Sequence, residues 1–379
     1  MKITIFGLTL SSSWGNGHAT PYRAILRALH RRGHSITFYE RDVEYYALRR
    51  DFLQCDFCNL VLYRTWDEIR EPALRQCAES DVVITASYCP EGARINDEVL
   101  NLTRPLRVFY DLDTPLTLKN LPTQDLDYLR GEQLREFDLV LSWTGGKSLV
   151  ELRTNWGVHL AFPLFGCVDP DVCRPAAIDS RFDCELSYMG TFAADRQQKV
   201  DNLLLEPARR RPDLAFVLAG TLYPWQWQWP ENVRRFDHVS PADHPKLYSS
   251  SRLTLNITRE EMAQTGWCPS GRFFEAAACG TPIVSDWWEG LDHFFQPGEE
   301  IFIVKRPDDV MNALATDEET LRTLAAKARA RTLAENTGER RAEQLLQYLE
   351  LARNSSPKSE DRKWALHNGD KDEFLEAVS

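Results

Sequence analysis

Pro269-Ser270-Gly271-Arg272-Phe273-Phe274-Glu275-Ala276-Ala277-Ala278-Cys279-Gly280-Thr281-Pro282 runs straight into the apolar stretch Ile283-Val284-Ser285-Asp286. The order reads as a turn, a short helix, a stop and a buried strand. Ser270 and Gly271 can cap the helix start, and Gly280 with Pro282 can end it. On a helical wheel Phe273, Phe274, Ala277 and Ala278 form one apolar face. Arg272 and Glu275 stand at i and i+3 on the polar face. Free N–H groups and the dipole make a helix N-terminus attractive to anions. A guanidinium there suits a diphosphate, and a carboxylate one turn deeper can accept two hydrogen bonds from a ribose diol. The same pattern would also suit a buried crossover helix with an internal ion pair. What surrounds the helix has to decide.

Working outward, the first half alternates apolar runs with helical patterns. The runs fall at 2–8, 35–40, 81–85, 107–111, 139–143 and 159–165. Between the first two, Tyr22, Ile25, Leu26 and Leu29 keep helical spacing up to the stop at Gly33. Such alternation predicts a parallel sheet with helices on both faces. The stretch Gly166-Cys167-Val168-Asp169-Pro170-Asp171-Val172-Cys173-Arg174-Pro175 breaks the rhythm and reads as a linker. The second half repeats the scheme, with strands expected at 185–190, 215–220, 233–239, 252–258, 282–286 and 301–304. Helices are expected near 195–211, 241–250, 272–279 and 317–350. The expected fold class is therefore α/β, two doubly wound Rossmann-like domains facing each other across a cleft. Sheets of this kind bind ligands outside the carboxyl ends of their strands. The boundaries are 1–166, 176–335, a helix at 336–352 and a polar tail at 353–379, with a weak helical patch around 364–378.

Composition narrows the function classes. The 379 residues suit about two domains, and 43% hydrophobic with 27% charged residues is ordinary for a globular chain. A net charge of −11 argues against a general nucleic-acid binder, so no nucleic-acid partner is expected. No apolar run approaches the ~20 residues that span a bilayer, and no transmembrane segment is expected. The first strand lacks the cleavage site of a signal peptide. Nine scattered cysteines suit reduced thiols in the cytoplasm, and Cys55-x-x-Cys58 has no second pair at zinc spacing.

The remaining motifs sit at predicted strand ends. Trp14-Gly15-Asn16-Gly17-His18-Ala19-Thr20-Pro21 begins like a dinucleotide fingerprint, but its third glycine would fall at Thr20. Glu40, after the second strand, could be the ribose acid of an NAD site or a solvated strand end. Gly17 allows close approach of backbone to a ligand, and His18 faces the expected cleft. Tyr110-Asp111-Leu112-Asp113-Thr114-Pro115 ends a further strand. Its acids could open a Pro turn, orient His18, serve as base or, ranked last, hold a cation. In the second half Gly190-Thr191-Phe192 leads to a helix with Arg196 and Lys199. Gly220-Thr221-Leu222-Tyr223 and Asn256-Ile257-Thr258-Arg259 end the next strands. Together these make a diphosphate cradle, and their convergence favours the ligand reading of the 271–279 helix. Backbone near His238-Val239-Ser240 would meet a base edge. Two aromatic clusters, the run from Tyr223 to Trp229 and Trp287-Trp288, could stack on a ligand or plug a surface.

At these residues the chain resembles glycosyltransferases of the GT-B fold, and among them the CgeB-like (spore maturation protein) group. The matching stretches are Tyr110 to Pro115, Tyr188-Met189-Gly190-Thr191 with Asp195-Arg196, Leu255 to Arg259, and Pro269 to Asp286. The resemblance implies an N-terminal acceptor domain, a C-terminal donor domain, a nucleotide-diphosphate sugar as donor substrate, a hydroxyl-bearing acceptor, no cofactor and no metal. Glu275 matches the ribose-binding Glu, and His18 a His of the Gly-rich loop. Many retaining members carry a further Glu where this chain has Cys268, so stereochemistry stays open. The expected catalytic residues are His18 and Asp113. The expected donor-binding residues are Gly17, Gly190, Thr191, Arg196, Tyr223, Val239, Arg259, Ser270, Gly271, Arg272 and Glu275. The alternatives are a nucleotide-sugar epimerase or hydrolase, or a non-catalytic nucleotide-sugar binding protein.

Overall fold

The structure is a computed structural model that describes residues 1–355 except Leu53, Asp125 and Trp225. The expected helical patch at 364–378 and Trp225 of the aromatic run lie outside the described residues. Two wholly parallel sheets form the frame. The first contains β1 (Lys2–Gly7), β2 (Ser35–Arg41), β3 (Asn59–Tyr63), β4 (Val82–Ala86), β5 (Leu106–Asp111), β6 (Leu139–Ser142) and β7 (Ala161–Pro163), in the order β3-β2-β1-β4-β5-β6-β7. The second contains β8 (Cys184–Met189), β9 (Phe216–Ala219), β10 (Val233–Phe236), β11 (Ser251–Asn256), β12 (Ile283–Ser285) and β13 (Phe302–Ile303), ordered β10-β9-β8-β11-β12-β13. In both sheets the strand order reverses beside the first strand, and the crevice there is where doubly wound sheets hold ligands.

Expected strands and observed strands agree except at one edge. β3 was not expected; it is an edge strand whose residues, apart from Tyr63, are exposed or half-buried. Central strands such as β4 are buried throughout and stand out in the sequence for that reason.

Six helices matter to the site. They are α1 (Ala19–Arg31), α2 (Ala194–Val200), α3 (His244–Ser249), α4 (Gly271–Cys279), α5 (Glu318–Glu335) and α6 (Gly338–Ser355). The expected helical stretch 317–350 is thus two helices, broken at Asn336 and Thr337. There the chain pairs with the first crossing between the halves: Val168 N–H donates to the Asn336 carbonyl at 3.0 Å, and Gly338 N–H to the Val168 carbonyl at 2.9 Å. Beyond that break α6 lies on α1, with Ala342, Leu345 and Leu349 in one core with Ile25, Leu26 and Leu29. Buried Arg341 ties the crossing down, donating to the Phe165 carbonyl at 3.1 Å and to Asn336 Oδ1 at 2.6 Å. The two strand-end surfaces are held facing each other by paired crossings as well as by side chains.

Candidate active site

A cleft of about 510 Å³ opens between the two sheets at their strand ends. Its walls include Gly17, His18 and Asp113 from the first half, and Gly190, Thr191, Arg196, Val239, Arg259, Ser270, Gly271, Arg272 and Glu275 from the second. Twelve of the thirteen expected site residues therefore meet in one cavity. Tyr223 is the correction. Its ring is buried against Phe192 and Trp229 in edge-on contacts, and it does not line the cleft. Leu222 takes a left-handed φ of 68° just before it, which turns the Tyr223 ring into this aromatic cluster.

The diphosphate side is built by α4 and the turns after β8, β9 and β11. Ser270 caps α4, its Oγ accepting from Arg272 N–H at 3.4 Å, and Gly280 ends the helix in the left-handed conformation at φ 78°. Arg272 and Glu275 do not pair with each other. Arg272 donates through Nη1 to the Met189 carbonyl and through Nε to Ser270 Oγ at 2.9 Å. Its guanidinium is thereby aimed at the end of β8 instead of along its own helix. Arg196 rises from α2 beside it and donates to the Thr191 carbonyl, while its buried Nε has no partner among the described residues. Burial, followed by the charges of Arg272 and Arg259, holds the Arg196 guanidinium below its ordinary value. Arg259 is balanced by Asp195 at 3.3 Å. Neither Arg196 nor Arg272 has an ion-pair partner among the described residues.

Glu275 carries the ribose side. Its carboxylate is buried, with Oε1 accepting from Thr20 Oγ1 across the cleft at 3.2 Å and Oε2 at 3.0 Å from His244 Nδ1. The other nitrogen of His244, Nε2, lies 3.2 Å from the Val239 carbonyl. Both ring nitrogens therefore face acceptors, which calls for two N–H groups and a charged imidazolium. Burial pulls the His244 pKa down, but Glu275 and the Val239 carbonyl outweigh it and raise it above 6.5. Sequence reasoning missed His244 and Thr20. The available signal was position, since each stands in the first turn of a helix that borders the cleft.

Opposite, the Gly15–Gly17 turn is folded by Asn16, whose Oδ1 accepts from His18 N–H at 3.1 Å and Ala19 N–H at 3.3 Å. His18 Nε2 stands 3.8 Å from Asp113 Oδ2, and its buried Nδ1 has no partner among the described residues. Burial lowers the His18 pKa below 6.5 and Asp113 partly restores it, so the imidazole is neutral at neutral pH. Asp111 does not share this role. It is buried under the loop, accepts from Asp113 N–H at 3.1 Å and Thr117 Oγ1 at 3.0 Å, and burial pushes its pKa up to about 7. The Asp-x-Asp stretch thus splits into a buried clamp and a cleft-facing carboxylate.

Glu40 is neither a ribose ligand nor a solvated strand end. It is fully buried and accepts four hydrogen bonds from the β1–α1 turn: Thr9 Oγ1 at 3.0 Å, Leu10 N–H at 2.7 Å, Ser11 N–H at 2.8 Å and Ser11 Oγ at 2.5 Å. That removes the acid on which the NAD reading rested. Trp288 is buried against Phe273 and Phe294 as a plug, while Trp287 is exposed.

Comparison with known proteins bears on this arrangement. Residues 196–347 match a family model described as glycosyl transferase-like. None of the curated proteins matches. Among solved structures, sucrose-phosphate synthase from Thermosynechococcus elongatus superposes with a TM-score of 0.66 at 16% identity, over 94% of this chain and 100% of that one. An alpha-glucosyltransferase in complex with UDP-glucose and abasic-site DNA gives 0.69 at 13% identity, over 92% and 99%. Anabaena HepE in complex with UDP and glucose gives 0.64 at 14% identity, over 92% and 99%. The fold is GT-B, and residues 196–347 in its second half are similar to the glycosyl transferase-like family. The expectation of no nucleic-acid partner is corrected here. A glucosyltransferase of the same fold is solved with DNA, and a net charge summed over a whole chain does not describe the local surface that meets an acceptor. No helix among the described residues is long and apolar enough to cross a membrane.

Proposed function

We propose that this chain is a glycosyltransferase that moves a sugar from a nucleotide-diphosphate sugar to a hydroxyl acceptor in the cleft. The carrying observation is the cluster of Arg196, Arg259 and Arg272, with one acid between them and a buried, unpartnered Nε on Arg196. Like charges held together in this way are stabilised by an anion, and a departing diphosphate is the anion such a reaction generates. Three guanidiniums supply the charge neutralisation, and we assign no metal and no cofactor to the chemistry. Glu275 would receive the ribose diol, and backbone at Val239 the base edge. His18, neutral and beside Asp113, would take the acceptor proton, with Asp113 as the second choice of base. Burial holds the Cys268 thiol up at about 12, so it remains protonated and supplies no carboxylate-like charge where many retaining members of the resembled group carry Glu.

In this reading residues 1–166 form the acceptor side, 176–335 the donor domain, and 336–352 the helix that returns to the first domain. The CgeB-like group is the subgroup we favour, on the stretches Tyr110 to Pro115 and Pro269 to Asp286. Nine unpaired cysteines suit a reducing, cytoplasmic setting. Because two of these solved structures hold UDP or UDP-glucose, UDP-sugars are the first donors to test, with GDP- and ADP-sugars and NAD(H) beside them. A thermal-shift screen should show stabilisation by a nucleotide sugar. Donor should then be consumed only when a hydroxyl acceptor is added. Stabilisation by NAD(H) alone would overturn the reading, and conversion of donor without acceptor would make the protein an epimerase or hydrolase.

A further inference from the structure

Resting on that donor-site reading, we infer that His244 is a positioning residue: it holds Glu275 in the orientation that receives a ribose diol and couples that carboxylate to the backbone that meets the base. The geometry is specific. One imidazole spans two groups from different elements, Glu275 Oε2 on α4 at 3.0 Å and the Val239 carbonyl after β10 at 3.2 Å. Among the described residues Glu275 is otherwise held only by Thr20 Oγ1, from across the cleft at 3.2 Å. A buried carboxylate on three rotatable bonds needs a fixed partner to present its lone pairs in one direction. His244 supplies that partner from the same domain, so the orientation survives when the two halves separate. Glu275, Val239 and His244 line one side of the cleft; Arg272 stands one turn before Glu275, toward the N-terminus of α4, with Arg196 from α2 and Arg259 from the turn after β11.

The arrangement predicts a division of labour. His244 should matter to ligands that carry a nucleoside and not to those that carry only phosphates. It should also matter only while charged. The groups facing it are Glu275 from α4, Asp51 from the first half, His238 from the loop after β10, and Tyr248 on its own helix, whose ring lies 6.4 Å away. Glu275 and Asp51 favour the imidazolium and, with the Val239 carbonyl, outweigh burial, so deprotonation is shifted above the ordinary 6.5, and the Glu275 grip weakens as pH rises through that raised pKa.

The test is calorimetry on the full chain with inorganic pyrophosphate and with the tightest of UDP, GDP and ADP. For His244→Gln, nucleoside diphosphate affinity should fall ten- to a hundredfold while pyrophosphate affinity changes less than about twofold. Wild-type protein should also lose nucleoside diphosphate affinity between pH 6.5 and 9 relative to His244→Gln, in which the same ligand titrations are present. Equal losses for both ligands, or unchanged nucleoside diphosphate affinity, would overturn the role. If the variant does not fold, the wild-type comparison of the two ligands across pH decides alone: a parallel pH dependence overturns the role. Failure of wild-type protein to bind any nucleoside diphosphate would instead remove the donor-site reading itself.

Discussion

Gly220 lies so close to the carbonyl oxygen of Gly190 that a Cβ on it would overlap that oxygen. The turns after β8 and β9 are stacked backbone on backbone, and Gly220 N–H is itself bound to the Phe236 carbonyl at 2.8 Å. Gly190 is equally confined, since a Cβ there would come within 2.6 Å of the Tyr188 hydroxyl and 2.7 Å of Arg272 Nη1. Gly220→Ala must therefore displace the Gly190 turn. Overpacking of this kind costs about 1–3 kcal/mol. We expect a melting temperature lower by several degrees, and donor affinity reduced at least tenfold. A scan and a calorimetric titration check both.

Arg196 predicts the opposite sign for stability. Its guanidinium is buried beside two like charges, with one nitrogen unpartnered, so the empty site holds it at a penalty that an anion relieves. Arg196→Met should leave the unliganded melting temperature unchanged or raise it slightly, and should abolish most of the stabilisation given by pyrophosphate. Donor affinity should drop roughly ten- to a hundredfold. A variant that melts lower and still binds pyrophosphate normally would contradict this.

As the proposed base, His18 should set the acid limb of turnover. Its pKa is lowered from 6.5, so the base form dominates at neutral pH, and kcat should fall as pH drops below that range. His18→Ala should reduce kcat roughly a hundredfold or more, leaving donor affinity within a factor of about three. Asp113 raises the His18 pKa, so Asp113→Asn should move the acid limb to still lower pH. Steady-state profiles between pH 4.5 and 8 with saturating donor distinguish these outcomes.

Asp111 makes a prediction for stability alone. Burial raises its pKa from 3.8 to about 7, so the fold binds this proton more tightly than the unfolded chain does. The stabilisation is full below 3.8 and is lost as pH rises through about 7. Asp111→Asn keeps an oxygen for the Asp113 N–H and the Thr117 hydroxyl, and has no charge to bury. Its melting temperature should exceed that of the wild type by several degrees at pH 8, with the advantage shrinking toward pH 4.

Most of the framework is legible in the residues because it depends on local patterns. Buried parallel strands must be continuous apolar runs, and glycine turns must follow them where backbone packs on backbone. These two constraints place His18, Asp113, Arg196, Arg259, Arg272 and Glu275 at strand ends before any coordinates are known. The α4 caps at Ser270 and Gly280 are of the same local kind. Partners are another matter. Spacing on a helix suggests that Arg272 pairs with Glu275, yet Arg272 turns to Met189 and Glu275 to His244 and Thr20. Glu40 reads as a strand end and is a buried clamp, and Tyr223 reads as a cleft residue and packs among aromatics. Local chemistry in the sequence determined which residues reach the cleft edge, since period and turn geometry act over a few positions. Only the tertiary structure decided what each charge faces, because that depends on distant elements brought within hydrogen-bond reach, as with Thr20 and Glu275, 255 positions apart in the chain.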